Sequence, residues 1–243
     1  MKKQLLALSS SILVMTLFTG TTALLTTGCG DNLFSSLHKK DDKDKGRSAF
    51  QQGDYAGAIT YLNDYIAGHP DDTEARSMLA TAYMKKVGLD ELQIAANITS
   101  STASATNNGW TSIVSLMPAG SEANISALTA ARDTIAAIPE ASRTPEQNYQ
   151  LAVASSALAI TVVKKSLCDD TGAYTPTDEK IQALSADDAN LIVQSISTTA
   201  TAVAATGSSN SGLSKLADVS TQIDSQTGSD NLSKLQSFLT SKR

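Results

Sequence analysis

Apolar side chains return every three or four residues in one segment after another of this 243-residue chain. That period belongs to helices that bury a single face. The clearest case lies between Gly46 and about Ile98, where Tyr55, Ala58, Ile59, Leu62, Tyr65 and Ile66 form one stripe. Gly53 and Asp54 suit the turn before it. Pro70-Asp71-Asp72-Thr73-Glu74 then interrupts the pattern, and Ala75, Met78, Leu79, Ala82 and Tyr83 begin a second stripe. Small alanines at the crossing let two helix backbones approach. The long period-two alternation expected of a sandwich or barrel is absent. The predicted fold class is therefore all-α.

The later chain repeats the pattern with clear punctuation. A helix is predicted from near Ser121 through Ile125, Leu128, Ile135 and Ile138 to Pro139. Another starts with Thr144 as cap, Pro145 at the first helical position and Gln147 completing the residue types of a capping box. It carries Tyr149, Ala152, Ser156, Ile160, Val163 and Leu167 on one broad face, with Leu151, Val153 and Leu158 on its sides. This is the expected central helix. Asp169 to Pro176 reads as a loop, Ser185 and Asp188 open a helix through Ile192, Ile196 and Val203, and residues 207–212 break it. Two shorter elements follow, one through Leu213, Leu216, Val219 and Ile223, the other through Leu232, Leu235 and Leu239. Thr99 to Gly109 reads as a loop or frayed helix end, and Trp110, Ile113, Leu116 and Met117 as a short helix ended by Pro118. Trp110 fits interhelical packing there better than a ligand edge.

The N-terminus has a different character. After Met1, Lys2 and Lys3 the chain runs from Gln4 to Gly30 without a charged side chain, the basic and apolar regions of an export signal. Its many Ser and Thr residues favour cleavage over an uncleaved span. Leu25-Thr26-Thr27-Gly28-Cys29 resembles the lipobox of bacterial lipoproteins, with Thr26 where that family usually has an aliphatic residue. The resemblance implies a cut after Gly28 and acylation of Cys29, and so a membrane partner held through N-terminal lipid. Two or more acyl chains anchor durably because each buried methylene contributes about 0.8 kcal/mol. Ordinary cleavage after a small residue such as Ala23 is the alternative. Gly30 rather than Asp follows the cysteine, which in the family's sorting rule implies the outer membrane, facing the periplasm.

Residues 46–98 look like tetratricopeptide repeats, helix-turn-helix units of 34 residues. Gly46, Ala49, Gly53, Tyr55, Ala58, Leu62 and Pro70 carry the resemblance, and Leu79, Ala80 and Tyr83 match the first helix of a second unit. That unit drifts at Gly88, one residue late for the turn, and at Leu89, which replaces the aromatic. Such repeats usually bind peptides or proteins along a concave face, so the resemblance implies an interaction scaffold and an envelope protein as partner. Tyr55, Tyr65 and Tyr83 are the candidate residues, for protein binding or for interhelical packing. The expected organisation is a signal peptide over 1–28, a polar tether over 29–45, the repeats over 46–98 and a helical domain over 99–243, as irregular solenoid turns or as a separate bundle.

Composition narrows the function classes. Loss of residues 1–28 leaves 215 residues and moves the formal charge from -5 to -7. Net acidity argues against a nucleic-acid partner, because phosphate binding relies on clustered Lys and Arg. The dense run His38 to Lys45 is mixed in sign and reads as part of the tether. Cys168 closes an apolar pattern and reads as a small buried residue rather than a nucleophile; without lipidation, a Cys29–Cys168 bridge becomes the alternative. Asp169 and Asp170 lack EF-hand spacing and read as a solvated turn. His38 and His69 are the two histidines, no zinc-site spacing or phosphate loop occurs, and no Ser has an evident base. Neither an enzyme nor a cofactor or metal is expected. Two functions follow: a membrane-tethered interaction scaffold, or a helical lipoprotein that binds a small apolar or cell-envelope ligand.

Overall fold

The computed structural model describes residues 41–90, 117–169, 172–206 and 211–242, the side chains of residues 211–217 excepted. The signal peptide, Cys29, the tether up to residue 40, the 98/99 boundary and the helix expected around Trp110 lie outside the described residues. Residues 41–243 form one compact unit. Among the described residues its elements are helices, with one isolated bridge between Cys168 and Tyr174. The all-α expectation is met.

The first helix, α1 (Asp42–Gln51), corrects the tether's end at residue 45. Asp41 caps it by accepting the Asp44 N–H at 2.8 Å, and Asp42 and Asp44 place negative charge on its first turn. The mixed charges are also spaced to pair along a helix: Lys45 Nζ lies 2.6 Å from Asp42. A run read as solvated chain is helical from Asp42 onward.

Two further helices complete the early segment, α2 (Tyr55–Gly68) and α3 (Thr73–Lys86). Their caps are Asp54 and Asp72, which accept from the Gly57 and Ala75 N–H groups. Helices α1 and α3 end in the same way. Gly53 and Gly88 both have φ of 79°, and each donates to the carbonyl three residues back. The following amides, of Asp54 and Leu89, reach back five residues to Ala49 and Met84. Both ends are thus Schellman turns, which need a left-handed residue that glycine supplies without strain. The structure repeats this exit even though Gly88 is one residue late. Gly46 also has a steric role, since a Cβ there would stand 2.7 Å from Leu62 Cγ.

The remaining helices are α4 (Glu122–Ala136), α5 (Pro145–Leu167), α6 (Asp178–Gln182), α7 (Ala186–Thr206), α8 (Ser211–Asp224) and α9 (Asn231–Ser241), with a short 3₁₀ turn at Glu140–Ser142. Helix α5 is central, as expected. Its capping box is formed in both directions, Thr144 N–H to Gln147 Oε1 at 3.0 Å and Gln147 N–H to Thr144 Oγ1 at 3.2 Å. Most of its surface is covered, by α4 on one side and most extensively by α7 on the other. Small residues let α5 and α7 approach: Ser156 Oγ donates to Ala152 O at 2.6 Å and lies 3.2 Å from Thr199 Oγ1 of α7. Among the described residues, no helix is long and apolar enough to cross a membrane.

Helix α3 belongs to two cores at once. One face joins Ala49, Ala58, Ile59 and Leu62 through Ala75, Leu79 and Ala82. The other sends Ala80 and Met84, with Leu89 beyond its end, into the larger core of Leu128, Leu158, Leu167 and Ile192. Tyr83 packs against both. The early repeat and the later helices therefore share packing instead of meeting as two separate bodies. Helix α9 turns back onto α7, α8 and α6 and closes the far end.

Candidate functional site

The early repeat carries the more polar of two candidate sites. Lys43, on the first turn of α1, places Nζ 2.7 Å from both Asp72 and Glu74 at the start of α3. Arg47, one turn on, reaches Glu74 at 2.9 Å. Tyr65 donates its hydroxyl to Asp72 at 3.1 Å, and the Lys43 ammonium stands 5.9 Å from the Tyr65 ring centre. Hydrogen bonds from Lys43 hold both acids' partner in the charged form, so the lysine is raised above its ordinary 10.5. For Asp72, burial pushes the carboxyl up, but Lys43, the Ala75 amide and Tyr65 together outweigh it and leave it below 3.8. Glu74 is held below 4.5 chiefly by its hydrogen bond from Lys43.

The three candidate tyrosines all stand at helix junctions. Tyr55 meets Phe50 of α1 edge to face at 5.6 Å. Tyr65 stacks on His69 with ring centres 4.1 Å apart, and Tyr83 accepts from Asn63 of α2 at 3.2 Å. They do not converge on one another. A fourth tyrosine, Tyr61, escaped the periodicity argument because it lies off the apolar stripe. It is exposed on the outer side of α2, with the Lys45 ammonium 5.7 Å from its ring centre.

The second site is a pocket of about 640 Å³ among the later helices. Its walls are Ile160 and Val163 of α5, Ile192 and Ile196 of α7, Val219 and Ile223 of α8, and Phe238 and Leu239 of α9. Ala173, Tyr174 and Pro176 form its rim. The rim is fixed to the end of α5: the amides of Asp169 and Thr175 donate to Ala173 O at 2.9 Å and Leu167 O at 3.0 Å. Gly172, with φ of 81°, makes the turn possible. Asp169 itself accepts from the Ala173 amide, a role within the turn, while Asp170 lies outside the described residues. Burial pushes the half-buried Cys168 thiol up, away from the thiolate a nucleophile needs. Sequence periodicity located the pocket's separate walls but not their enclosure, because each Ile or Val there looks like ordinary core.

Among the described residues, no group of three or more His, Cys, Asp or Glu side chains could hold a metal ion. A tetratricopeptide-repeat family model matches residues 49–88, which cover the end of α1, α2 and α3. No curated protein and no solved structure matches the chain. The early segment is thus a short tetratricopeptide-like repeat within a larger all-α unit.

The Lys43 fork has a signed pH consequence. Depressed carboxyls stabilise the fold above their ordinary values of 3.8 and 4.5, and that stability is lost as pH falls through the lower folded values. The raised lysine contributes below 10.5 and loses its contribution as pH rises past its folded value. Lys43→Met should cost about 1 kcal/mol or less near pH 7, since the cluster is partly solvated. In urea unfolding at a series of pH values, the difference from wild type should be flat near neutrality and vanish in strong acid.

Proposed function

We propose that this chain is an exported, non-enzymatic lipoprotein of the bacterial envelope whose helical unit is a protein-interaction scaffold. The observation that carries the interaction role is the tetratricopeptide-like repeat over residues 49–88. Repeats of this architecture present helix faces to peptides and other proteins, and stacked repeats create extended binding surfaces. Helix α2 leaves an outer face of Thr60, Tyr61 and Asp64 exposed beside the Lys45 ammonium. An aromatic ring next to charge suits a protein partner, because tyrosine supplies contact area at low entropic cost.

The anchor rests on sequence: the basic start, the uncharged run from Gln4 to Gly30 and Gly28-Cys29 at its end. Acylation of Cys29 would hold the scaffold at the outer membrane, facing the periplasm, where an envelope assembly or localisation partner is available. A second reading, binding of a small apolar or envelope ligand, is supported by the 640 Å³ pocket beside the central helix. Its size falls within the range of about 300–1,000 Å³ common to small-molecule sites.

Both parts of the proposal have direct readouts in producing cells. A photo-crosslinking residue at Tyr61 should capture one reproducible envelope protein, and the same residue at Ser225, far along the chain, should not. Equal capture at both positions would contradict a partner on the repeat. Intact mass and fractionation should find wild type acylated in the membrane and Cys29→Ser unacylated and released; an unmodified wild type cut at another site overturns the anchor.

A further inference from the structure

The pocket's chemistry is more specific than its volume. Every side chain lining it is hydrocarbon except the Tyr174 phenol on the rim. No charged group and no buried donor enters it among the described residues, so whatever fills the interior must need no hydrogen bonds there. The rim is different. Lys180 of α6 donates to Cys168 O at 3.1 Å and to Thr175 Oγ1 at 2.9 Å, between the two rim residues Tyr174 and Pro176. Lys242, at the end of α9, holds its ammonium 5.5 Å from the ring centre of the lining residue Phe238. The bonding partners of Lys180 are neutral, and among the described residues neither ammonium is paired with a carboxylate.

A hydrocarbon-lined slot with two ammonium groups beside it, neither held by a carboxylate among the described residues, is complementary to an amphiphile with an anionic head. We propose that the pocket binds a single-chain carboxylate amphiphile, a fatty acid, with its alkyl chain among α5, α7, α8 and α9 and its carboxylate at Lys180 and Lys242. This rests on the second reading above, that the pocket takes an apolar ligand, and adds the head-group class. The tail contributes through apolar burial, which grows with each methylene taken out of water. The head contributes charge-assisted hydrogen bonds, for which Lys180 keeps one of its three N–H donors beyond those on Cys168 O and Thr175 Oγ1. One chain suits the space; two acyl chains with their glycerol do not. The phenol of Tyr174, kept protonated by the burial that raises its pKa, stands on the same rim.

The test uses the protein as purified from producing cells, freed of copurifying lipid by an apolar resin. Laurate, dodecanol and dodecyltrimethylammonium, which share one tail, are titrated calorimetrically below their micelle concentrations. Laurate should bind saturably at one per chain, dodecanol about tenfold more weakly for want of a charge-assisted hydrogen bond, and the cation most weakly. Replacing both lysines, Lys180→Gln with Lys242→Gln, should bring laurate down to the affinity of dodecanol and leave dodecanol unchanged. Ala173→Trp on the exposed rim and Ile196→Trp in the wall should each block both ligands; the rim variant keeps the test open if the wall variant fails to fold. Equal binding of all three amphiphiles overturns the head-group assignment while leaving an apolar ligand in place. No saturable binding of any of them, or undiminished binding to folded tryptophan variants, overturns the pocket as a ligand site altogether.

Discussion

Helix α3 joins the early repeat to the later helices, by extensive packing on α4 and by a small hydrogen-bonded grip from α5. Gln147 donates to Thr73 O at 3.3 Å and to Ser77 Oγ at 3.1 Å, and Gln150, one turn further on, donates to Ser77 O at 2.9 Å and also bonds Thr81 Oγ1. Both glutamines are buried, so their amides would be costly without these partners. Helix α3 is thereby held by hydrogen bonds along one edge while its two apolar faces enter different cores. A short repeat must cover its open apolar edge with the following chain, and here the central helix has a direct part in that cover. The Lys43 fork adds a further tie, from α1 to the start of α3.

The same economy of side-chain size explains why the later helices enclose space. Ala152, Ser156 and Thr199 bring α5 and α7 together over their early contact. Further along, branched residues such as Ile160, Val163, Ile192 and Ile196 face a gap that α8 and α9 close without filling. Packed interiors leave few voids larger than a water molecule. A pocket of hundreds of cubic ångströms beside the main helical contact is therefore a property of this arrangement, and it gives the ligand reading a physical footing that the sequence did not provide.

Helices were legible because their signals are local. The three- and four-residue spacing marked α2, α3, α4, α5 and α7, and the Thr144–Gln147 pair announced the start of α5 and forms the box it predicts. The beginning of α1 is hidden by its mixed charge, although the Asp41 cap and the helical spacing of Asp42 with Lys45 and of Asp44 with Arg47 mark it. Gly88 looked like a failing turn, yet it makes the same Schellman exit as Gly53, since backbone geometry tolerates one residue of drift in the helix before it. Contacts between residues far apart in the chain left no such trace. Nothing local in Gln150 points to Ser77, and nothing in Lys180 points to the rim loop that it bridges.

With α3 shared between its two cores, the repeat should unfold as an integral part of one cooperative unit. Native-state hydrogen exchange of the purified protein at increasing subdenaturing urea tests it most directly, by comparing the opening free energies of amides in α2, α3 and α5. The slowest amides of all three helices should converge on one global opening. Loss of protection throughout α2 and α3 at lower urea, while α5 stays closed, would contradict it and make the repeat an independent domain.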